Sequence, residues 1–287
     1  MIQPLFEHRL TLAGYDTRVL ELEGDGAPIL LLHGYADSAD GWRSILALLA
    51  RRGQRAIAVD LPGFATADGL GPGPILPQLD DFAAAAVAYL RGRRRPPVVA
   101  VGHSLGGCLA LRLAERHAGE LAGVVAVAPA GLAMTRLLSL LERDPILTSL
   151  LALPVPIPSA VVRAAAARIY LGLLAAPASI DPRVVASFSR HLRDRSTAAR
   201  YLETARRLLR ELRDPFEPER MSRPVLLVWG ERDRLSFARG AEPLLEAAPD
   251  AHLELLPGIG HCPQVEAPAR FAEILLEFSS KQVAEAA

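Results

Sequence analysis

Short apolar segments alternate with helix-like segments along the chain, and this alternation restricts the possible folds more than any other feature. The apolar segments show no alternation of polar and apolar residues, which is typical of strands in a parallel sheet covered on both faces. Strand, helix, strand at this spacing predicts right-handed βαβ units and an α/β fold. The predicted strands are Ile29 to Leu32, Ala56 to Val59, Val98 to Val101, Val124 to Ala128, Val225 to Trp229 and His252 to Leu256, and the predicted helices are Trp42 to Arg52, Leu79 to Arg91, Leu105 to Arg116 and Pro268 to Phe278.

Near the N-terminus the sequence predicts a different element, an antiparallel hairpin. Arg9 to Leu12 and Thr17 to Leu22 read as strands, and the turn Gly14-Tyr15-Asp16 lies between them. With the hairpin included, the fold class is a mostly parallel sheet sandwiched by helices.

The strand pattern stops near Gly131 and resumes only after about Pro218. Strands on both sides of this gap must share one sheet, so a helical insert in one α/β domain is simpler than two independent domains. The prediction is therefore a core of residues 1–130 and 219–287, with a helical cap of residues 131–218 inserted after the sixth strand. The predicted cap helices are Ala160 to Leu174, Val184 to Arg193 and Ser196 to Arg213.

The composition excludes several functional classes. The 287 residues carry 32 basic and 32 acidic side chains, a balance that gives no indication of a nucleic-acid partner. Cys108 and Cys262 are too few for a disulfide scaffold and stand in no metal-ligand spacing, so neither zinc nor a cofactor is predicted. No long apolar run predicts a transmembrane helix, and the N-terminus lacks a signal-peptide pattern. These features predict a cytoplasmic protein and leave its oligomeric state open.

The strongest chemical signal is Gly102-His103-Ser104-Leu105-Gly106, directly after the apolar run Val98 to Val101. This G-x-S-x-G pattern between a strand and a helix is typical of a nucleophile elbow. Gly102 and Gly106 avoid Cβ clashes in the sharp turn, and the helix N-terminus offers unpaired N–H groups to a developing oxyanion. The motif alone leaves a second interpretation open, a glycine-rich helix start without catalysis.

A second signal, His33-Gly34-Tyr35, follows the strand Ile29 to Leu32. The loop after this strand can supply the other oxyanion donor, so the predicted oxyanion hole consists of the backbone N–H groups of Tyr35 and Leu105. Gly34 lets the backbone approach the substrate. His33 is expected to be a structural histidine that hydrogen-bonds the loop, with a catalytic role as the minor alternative.

The serine needs a base, and the base needs an orienting acid. His261 is the predicted base because it lies in a glycine-rich loop after the last strand, whereas the side chain of His103 is expected to point elsewhere. Asp233 is the predicted acid because it follows the strand Val225 to Trp229. Glu231 is the alternative acid, and a helix N-cap is the alternative role for Asp233. The order Ser104, Asp233, His261 is the one expected for an α/β-hydrolase nucleophile elbow.

These segments resemble the α/β-hydrolase family, in the branch of lidded esterases, haloperoxidases and carbon–carbon hydrolases. His33-Gly34-Tyr35 with Ser38 and Trp42 resembles the family's HGxxxSxxxW segment, and Asp60-Leu61-Pro62-Gly63 resembles its D-x-P-G-x-G-x-S loop. That loop departs from the family after Gly63, where Phe64-Ala65-Thr66-Ala67 stands in this chain. The resemblance implies that Ser104, Asp233 and His261 form the triad and that residues 131–218 form the cap.

The resemblance also narrows the chemistry. Related dehalogenases and epoxide hydrolases attack with an aspartate, so a serine favours acyl chemistry. The apolar segment Pro154 to Leu174 predicts a hydrophobic acyl pocket, with simple packing on the core as an equal alternative. Arg190, Arg193 and Arg195 could meet an anionic substrate, although a solvated helix face is the favoured interpretation.

The leading functional hypothesis is a cofactor-free hydrolase of carboxylic esters with a small to medium apolar acyl group. Hydrolysis of a C–C bond in a vinylogous diketone and acyl transfer could use the same triad. A ligand-binding protein that has lost catalysis is the alternative from another class, because one fold hosts many functions.

Overall fold

Eight strands form one sheet in the computed structural model, which describes residues 4–92, 96–135, 158–192, 194–248 and 250–286. The order across the sheet is β1-β2-β4-β3-β5-β6-β7-β8. The hairpin strands β1 and β2 are antiparallel to each other, β2 is antiparallel to β4, and the remaining pairs are parallel. The predicted fold class is confirmed. The strands are β1 Leu5–Leu12, β2 Tyr15–Leu22, β3 Ile29–Leu32, β4 Ala56–Val59, β5 Val98–His103, β6 Leu121–Val127, β7 Val225–Gly230 and β8 Ala251–Leu256.

The predicted hairpin is present, but its turn is Ala13-Gly14 and not Gly14-Tyr15-Asp16, because Tyr15 and Asp16 already pair with β1. Ala13 and Gly14 both have positive φ, 49° and 84°, as a two-residue type I′ turn requires. Strand β1 begins at Leu5 and not at Arg9. Most of its side chains are exposed because it lies at the sheet edge, so the hydrophobic pattern does not mark where it starts.

Helices cover both faces of the sheet. Helices α2 and α3 pack on one face and α1 and α9 on the other, and consecutive strand residues belong to different cores: Leu30 packs in the first and Leu31 in the second. This two-sided burial explains the unbroken apolar runs. The helices among the described residues are α1 Arg43–Ala50, α2 Ile75–Arg91, α3 Leu105–Arg116, α4 Ser159–Leu173, α5 Pro182–Arg190, α6 Arg195–Glu211, α7 Glu242–Ala247, α8 Pro263–Glu266 and α9 Pro268–Ala286.

The chain between β6 and β7, called the insert (residues 131–218), contributes α4, α5 and α6. Its described residues contain no strand of the sheet, and Met134 makes only an isolated bridge to Ser236. Part of the predicted apolar segment, including Pro154 and Pro156, lies outside the described residues. None of the helices in the described ranges combines the length with the apolar character that a membrane span needs.

Candidate active site

Ser104 occupies the sharp turn between β5 and α3. Its backbone has φ 52° and ψ −110°, a conformation that costs a non-glycine residue about 1–3 kcal/mol. Backbone hydrogen bonds hold it there. The Ser104 N–H donates to the carbonyl of Val127 at the end of β6 at 2.9 Å, and the Ser104 carbonyl accepts from the Ala130 N–H at 2.9 Å and from the Cys108 N–H of α3 at 3.0 Å. The side chain is therefore fixed at the apex, above the start of α3.

The two glycines of the motif are required by close backbone contacts. A Cβ at position 102 would lie 1.9 Å from the carbonyl oxygen of Gly106, and a Cβ at position 106 would lie 2.2 Å from the carbonyl oxygen of Leu32. Neither backbone neighbour can move aside like a flexible side chain. A side chain at position 102 or 106 would therefore force the backbone of this turn to shift.

His261 and Asp233 form a buried pair. The His261 Nδ1–H donates to Asp233 Oδ2 at 2.7 Å, while Asp233 Oδ1 accepts from the backbone N–H groups of Leu235 at 2.8 Å and Ser236 at 3.1 Å. Burial alone would raise the pKa of Asp233, but the hydrogen bond and charge of His261 and the two backbone donors hold it below its usual value. The carboxylate therefore stays ionised and orients the imidazole.

Glu231, the alternative acid, has a different partner. Its Oε2 accepts from the backbone N–H of Gly258 at 3.0 Å, and the residue is exposed. Of the two carboxylates considered from the sequence, Asp233 is the one bonded to His261.

His33 bridges two loops. The Leu61 N–H donates to its Nε2 at 2.8 Å, so Nε2 is the unprotonated nitrogen and Nδ1–H donates to the carbonyl of Gly34 at 2.7 Å. Complete burial lowers the pKa of His33 to about 4 against the opposing effect of Asp60. His33 is therefore a neutral histidine with both ring nitrogens bonded to the backbone, and its structural role stays a prediction.

The prediction for the direction of the His103 side chain is wrong. Its side chain does not point away from the site: Nε2–H donates to the backbone carbonyl of His261 at 2.9 Å, and the two imidazole rings lie 4.8 Å apart. Burial, with the nearby His261, lowers the pKa of His103 to about 3. Sequence periodicity carries no signal for this contact, since it joins the end of β5 to the loop after β8.

Gly34 lies directly against the elbow. A Cβ at this position would be 2.9 Å from His103 Nδ1 and 3.4 Å from the Ser104 Cβ. Glycine therefore lets the loop after β3 approach the nucleophile turn, which brings Tyr35 close to Ser104.

A cavity of about 580 Å³ is lined by several of the predicted site residues, although Asp233 is not among them. Ser104, His261, Tyr35 and Leu105 line it together, and α4 and α6 supply mostly apolar side chains such as Val162, Ile169, Leu202 and Leu209. No lysine or arginine occurs among the described lining residues, and Asp37 is their single carboxylate. Leu105 begins α3, so its N–H is one of those left without a helical partner.

Asp37 was not identified from the sequence. It is buried, lies three residues after Gly34, and its Oδ1 accepts from the Ser38 N–H at 2.8 Å. Burial raises its pKa to about 7, and the carboxylates of Asp40 and Asp60 act in the same direction.

Within the described ranges, no group of three or more His, Cys, Asp and Glu side chains could hold a metal ion.

Among the described residues of the insert, no arginine lines the cavity. Arg190 makes an ion pair with Asp40, which follows β3, although more than half of its side chain is exposed. Arg193 and the side chain of Arg195 lie outside what the structure describes. In the D-x-P-G loop, which departs from the family's sequence pattern after Gly63, Thr66 Oγ1 donates to Asp60 Oδ2 at 2.8 Å.

Comparison with known proteins matches residues 29–274 to the alpha/beta hydrolase family. The chain is 27% identical to the pimeloyl-[acyl-carrier protein] methyl ester esterase of Nitrosomonas europaea, covering 88% of this chain and 95% of the relative. It is 25% identical to the 2-hydroxy-6-oxo-6-(2'-aminophenyl)hexa-2,4-dienoic acid hydrolase of Metapseudomonas resinovorans, covering 96% and 91%. The crystal structure of a serine hydrolase involved in carbazole degradation superposes with a TM-score of 0.76 at 23% identity, covering 97% of this chain and all of that one. The chain therefore belongs to the alpha/beta hydrolase family.

Proposed function

We propose that the protein is a serine hydrolase that cleaves carboxylic esters with small to medium apolar acyl groups. The observation that carries the proposal is the shared cavity: Ser104, on its strained turn, lines the same apolar space as His261, which is bonded to the buried Asp233. The site thus places a nucleophile, a base and an orienting acid on three loops at the carboxyl ends of neighbouring strands. These are the groups that acyl transfer to serine needs.

In this mechanism Ser104 Oγ attacks the ester carbonyl carbon while His261 Nε2 takes its proton. His261 Nδ1 is occupied by Asp233, which leaves Nε2 as the free base. The backbone N–H groups of Tyr35 and Leu105 bind the oxyanion, and each such donor is typically worth about 3 kcal/mol. The imidazolium then protonates the leaving alcohol, and a water activated by the same histidine hydrolyses the acyl-enzyme.

The lining of the cavity supports an uncharged acyl group. Helices α4, α5 and α6 act as a cap on the core of residues 1–130 and 219–287, and they turn apolar side chains toward Ser104. A carboxylate placed there without a cation would lose its hydration without compensation, which costs several kcal/mol. The dienoic acid named for one relative is such an anion, whereas the methyl ester named for the other is a neutral acyl derivative at the scissile group.

A panel of p-nitrophenyl esters from acetate to decanoate tests the proposal. The ratio kcat/KM should rise with chain length over the first members, mainly through a lower KM, because each buried methylene contributes about 0.8 kcal/mol to binding. Ser104→Ala should reduce kcat by a factor on the order of 10⁶ with an unchanged melting temperature. Ser187→Ala is the matched control, since its hydroxyl donates to the Val184 carbonyl within α5 and Ser187 is not among the described residues that line the cavity.

The same panel separates the other hypotheses. Faster turnover of a vinylogous diketone acid than of any ester would favour C–C hydrolysis. Product formed from an added alcohol instead of water would indicate acyl transfer. Tight binding of the esters without turnover would indicate a ligand-binding protein, and residual activity of Ser104→Ala within tenfold of the wild type would place the nucleophile elsewhere.

A further inference from the structure

Two tyrosines join helix α6 of the insert to the loops around Ser104. The Tyr35 hydroxyl donates to the backbone carbonyl of Tyr201 in α6. In the opposite direction, the Tyr201 hydroxyl accepts from the backbone N–H of Ala65 at 3.1 Å. One bond ends on the loop after β3 and the other on the loop after β4, so the helix is attached to both.

Aromatic packing reinforces the same connection. The ring of Phe64 lies 5.2 Å from that of Tyr35 and 5.5 Å from that of Tyr201, and the two tyrosine rings are 6.3 Å apart, all in edge-to-face arrangements. Phe64 and Tyr201 are buried, and both tyrosines line the cavity that contains Ser104. The position of α6 is therefore tied to the position of the Tyr35 side chain.

The peptide that carries the Tyr35 N–H has a second anchor in the core. The Gly34 carbonyl accepts from His33 Nδ1–H at 2.7 Å and from the Asp37 N–H at 3.3 Å. Because a trans peptide is planar, the Gly34 carbonyl and the Tyr35 N–H point in opposite directions within one plane. His33 holds one edge of that plane, and the Tyr35 side chain, bonded to α6, restrains the residue at its other end.

We propose that the Tyr35 hydroxyl is a positioning group: its bond to the Tyr201 carbonyl fixes the direction of the Tyr35 N–H, so that docking of α6 completes the oxyanion site. This inference rests on the proposed ester hydrolysis. It makes the insert part of the catalytic geometry as well as a wall of the acyl pocket.

Loss of this bond has a specific kinetic consequence. The oxyanion forms only in the transition state, whereas the ground-state ester is held mainly by the apolar wall. A misdirected N–H should therefore lower kcat and leave KM nearly unchanged. A contact that merely stabilised the fold would change the melting temperature without this selective loss.

Tyr35→Phe removes the hydroxyl and keeps the ring, and Tyr201→Phe removes the bond to Ala65 in the same way. Tyr15→Phe is the matched control, because Tyr15 is partly buried, donates to Gln78 Oε1 at 2.8 Å and does not line the cavity. The measurements are kcat and KM with p-nitrophenyl butyrate, melting temperature, and inhibition by butylboronic acid. The boronic acid forms a tetrahedral adduct with serine and so reports on the oxyanion site.

We expect Tyr35→Phe to lower kcat by about 10- to 100-fold, with KM within threefold and boronic acid affinity reduced in proportion to kcat. Tyr201→Phe should show a smaller loss of the same kind, and Tyr15→Phe none. A wild-type kcat in Tyr35→Phe, a change confined to KM, or an equal loss in Tyr15→Phe would overturn the inference. Absence of ester turnover by the wild type would instead overturn the proposed function, so the two failures are distinguishable.

Discussion

At the scale of single residues, the sequence placed two carboxylates at the end of one strand and could not show which of them reaches the histidine. Asp233 and Glu231 are two positions apart, and both follow β7. Which of them bonds the histidine depends on the loop after β8. In that loop the Gly258 N–H donates to Glu231, and His261 donates to Asp233. Such a choice depends on how two loops meet, which no local pattern encodes.

Asp233→Asn should lower kcat by a factor of about 10⁴, because an amide of the same size can favour the wrong imidazole tautomer. Glu231→Gln should have a small effect, since its carboxylate is exposed and accepts from the backbone N–H of Gly258. Initial rates with one p-nitrophenyl ester compare the two variants. If Glu231→Gln were the crippling change and Asp233→Asn were mild, the assignment of the acid would be wrong.

Two residues that the sequence analysis did not assign to the site stand out in the structure because they are buried beside the cavity. Asp37 reads as an ordinary loop aspartate, yet it is buried beside the cavity with a raised pKa. From the sequence, the side chain of His103 was expected to point away from the site, yet it donates a hydrogen bond to the backbone carbonyl of His261. In both cases the environment is created by segments far away in the chain.

At the scale of elements, the sequence predicted most strands and helices because their patterns are local. Strands β3 and β4 and helix α3 have the predicted ends, since two-sided burial and the elbow define them. Helix α2 begins at Ile75 and not at Leu79 because Glu211 of the insert accepts from the Ile75 and Leu76 N–H groups at 2.7–2.9 Å. A cap supplied from another part of the chain leaves no local signal.

The turn between β5 and α3 should tolerate no side chain at position 106. In Gly106→Ala the new Cβ would lie 2.2 Å from the Leu32 carbonyl oxygen, so β3 and α3 must separate, and we expect a loss of at least about 3 kcal/mol in the free energy of unfolding. Gly119→Ala, with nothing within 4 Å of its Cβ, should change it by less than about 0.5 kcal/mol. Urea denaturation measures both, and equal stabilities would contradict the steric argument.

At the scale of the whole molecule, the contacts between insert and core were beyond sequence reasoning. Arg190 pairs with Asp40, Glu211 caps α2, and Tyr35 bonds Tyr201. Each contact joins residues more than a hundred positions apart, so each depends on where the insert docks. The sequence predicted that an insert exists and that it is helical, but not which core residues it touches.

Buried titratable groups from several of these segments give the stability of the folded protein a defined dependence on pH. Burial lowers the pKa of His33 from 6.5 to about 4 and that of His103 to about 3. The unfolded chain therefore binds more protons than the folded one between those values and 6.5, and stability falls as the pH drops through this window. Burial also lowers the pKa of His191, which acts with the same sign.

Asp37 acts with the opposite sign, so its replacement should expose the effect of the histidines. Its folded pKa of about 7 lies above the usual 3.8, so the folded state binds the extra proton in that range and gains stability as the pH falls. Between pH 7 and pH 5, protonation linked to His33 and His103 should together lower the free energy of unfolding by about 4 kcal/mol. Over the same interval Asp37 should raise it by about 2–3 kcal/mol. The wild type should thus lose little free energy of unfolding over this interval, whereas Asp37→Asn should lose the larger amount and be the more stable protein at pH 8. Urea titrations at pH 5, 7 and 8 measure this, and parallel pH profiles for the two proteins would show that Asp37 is ionised in the folded state throughout.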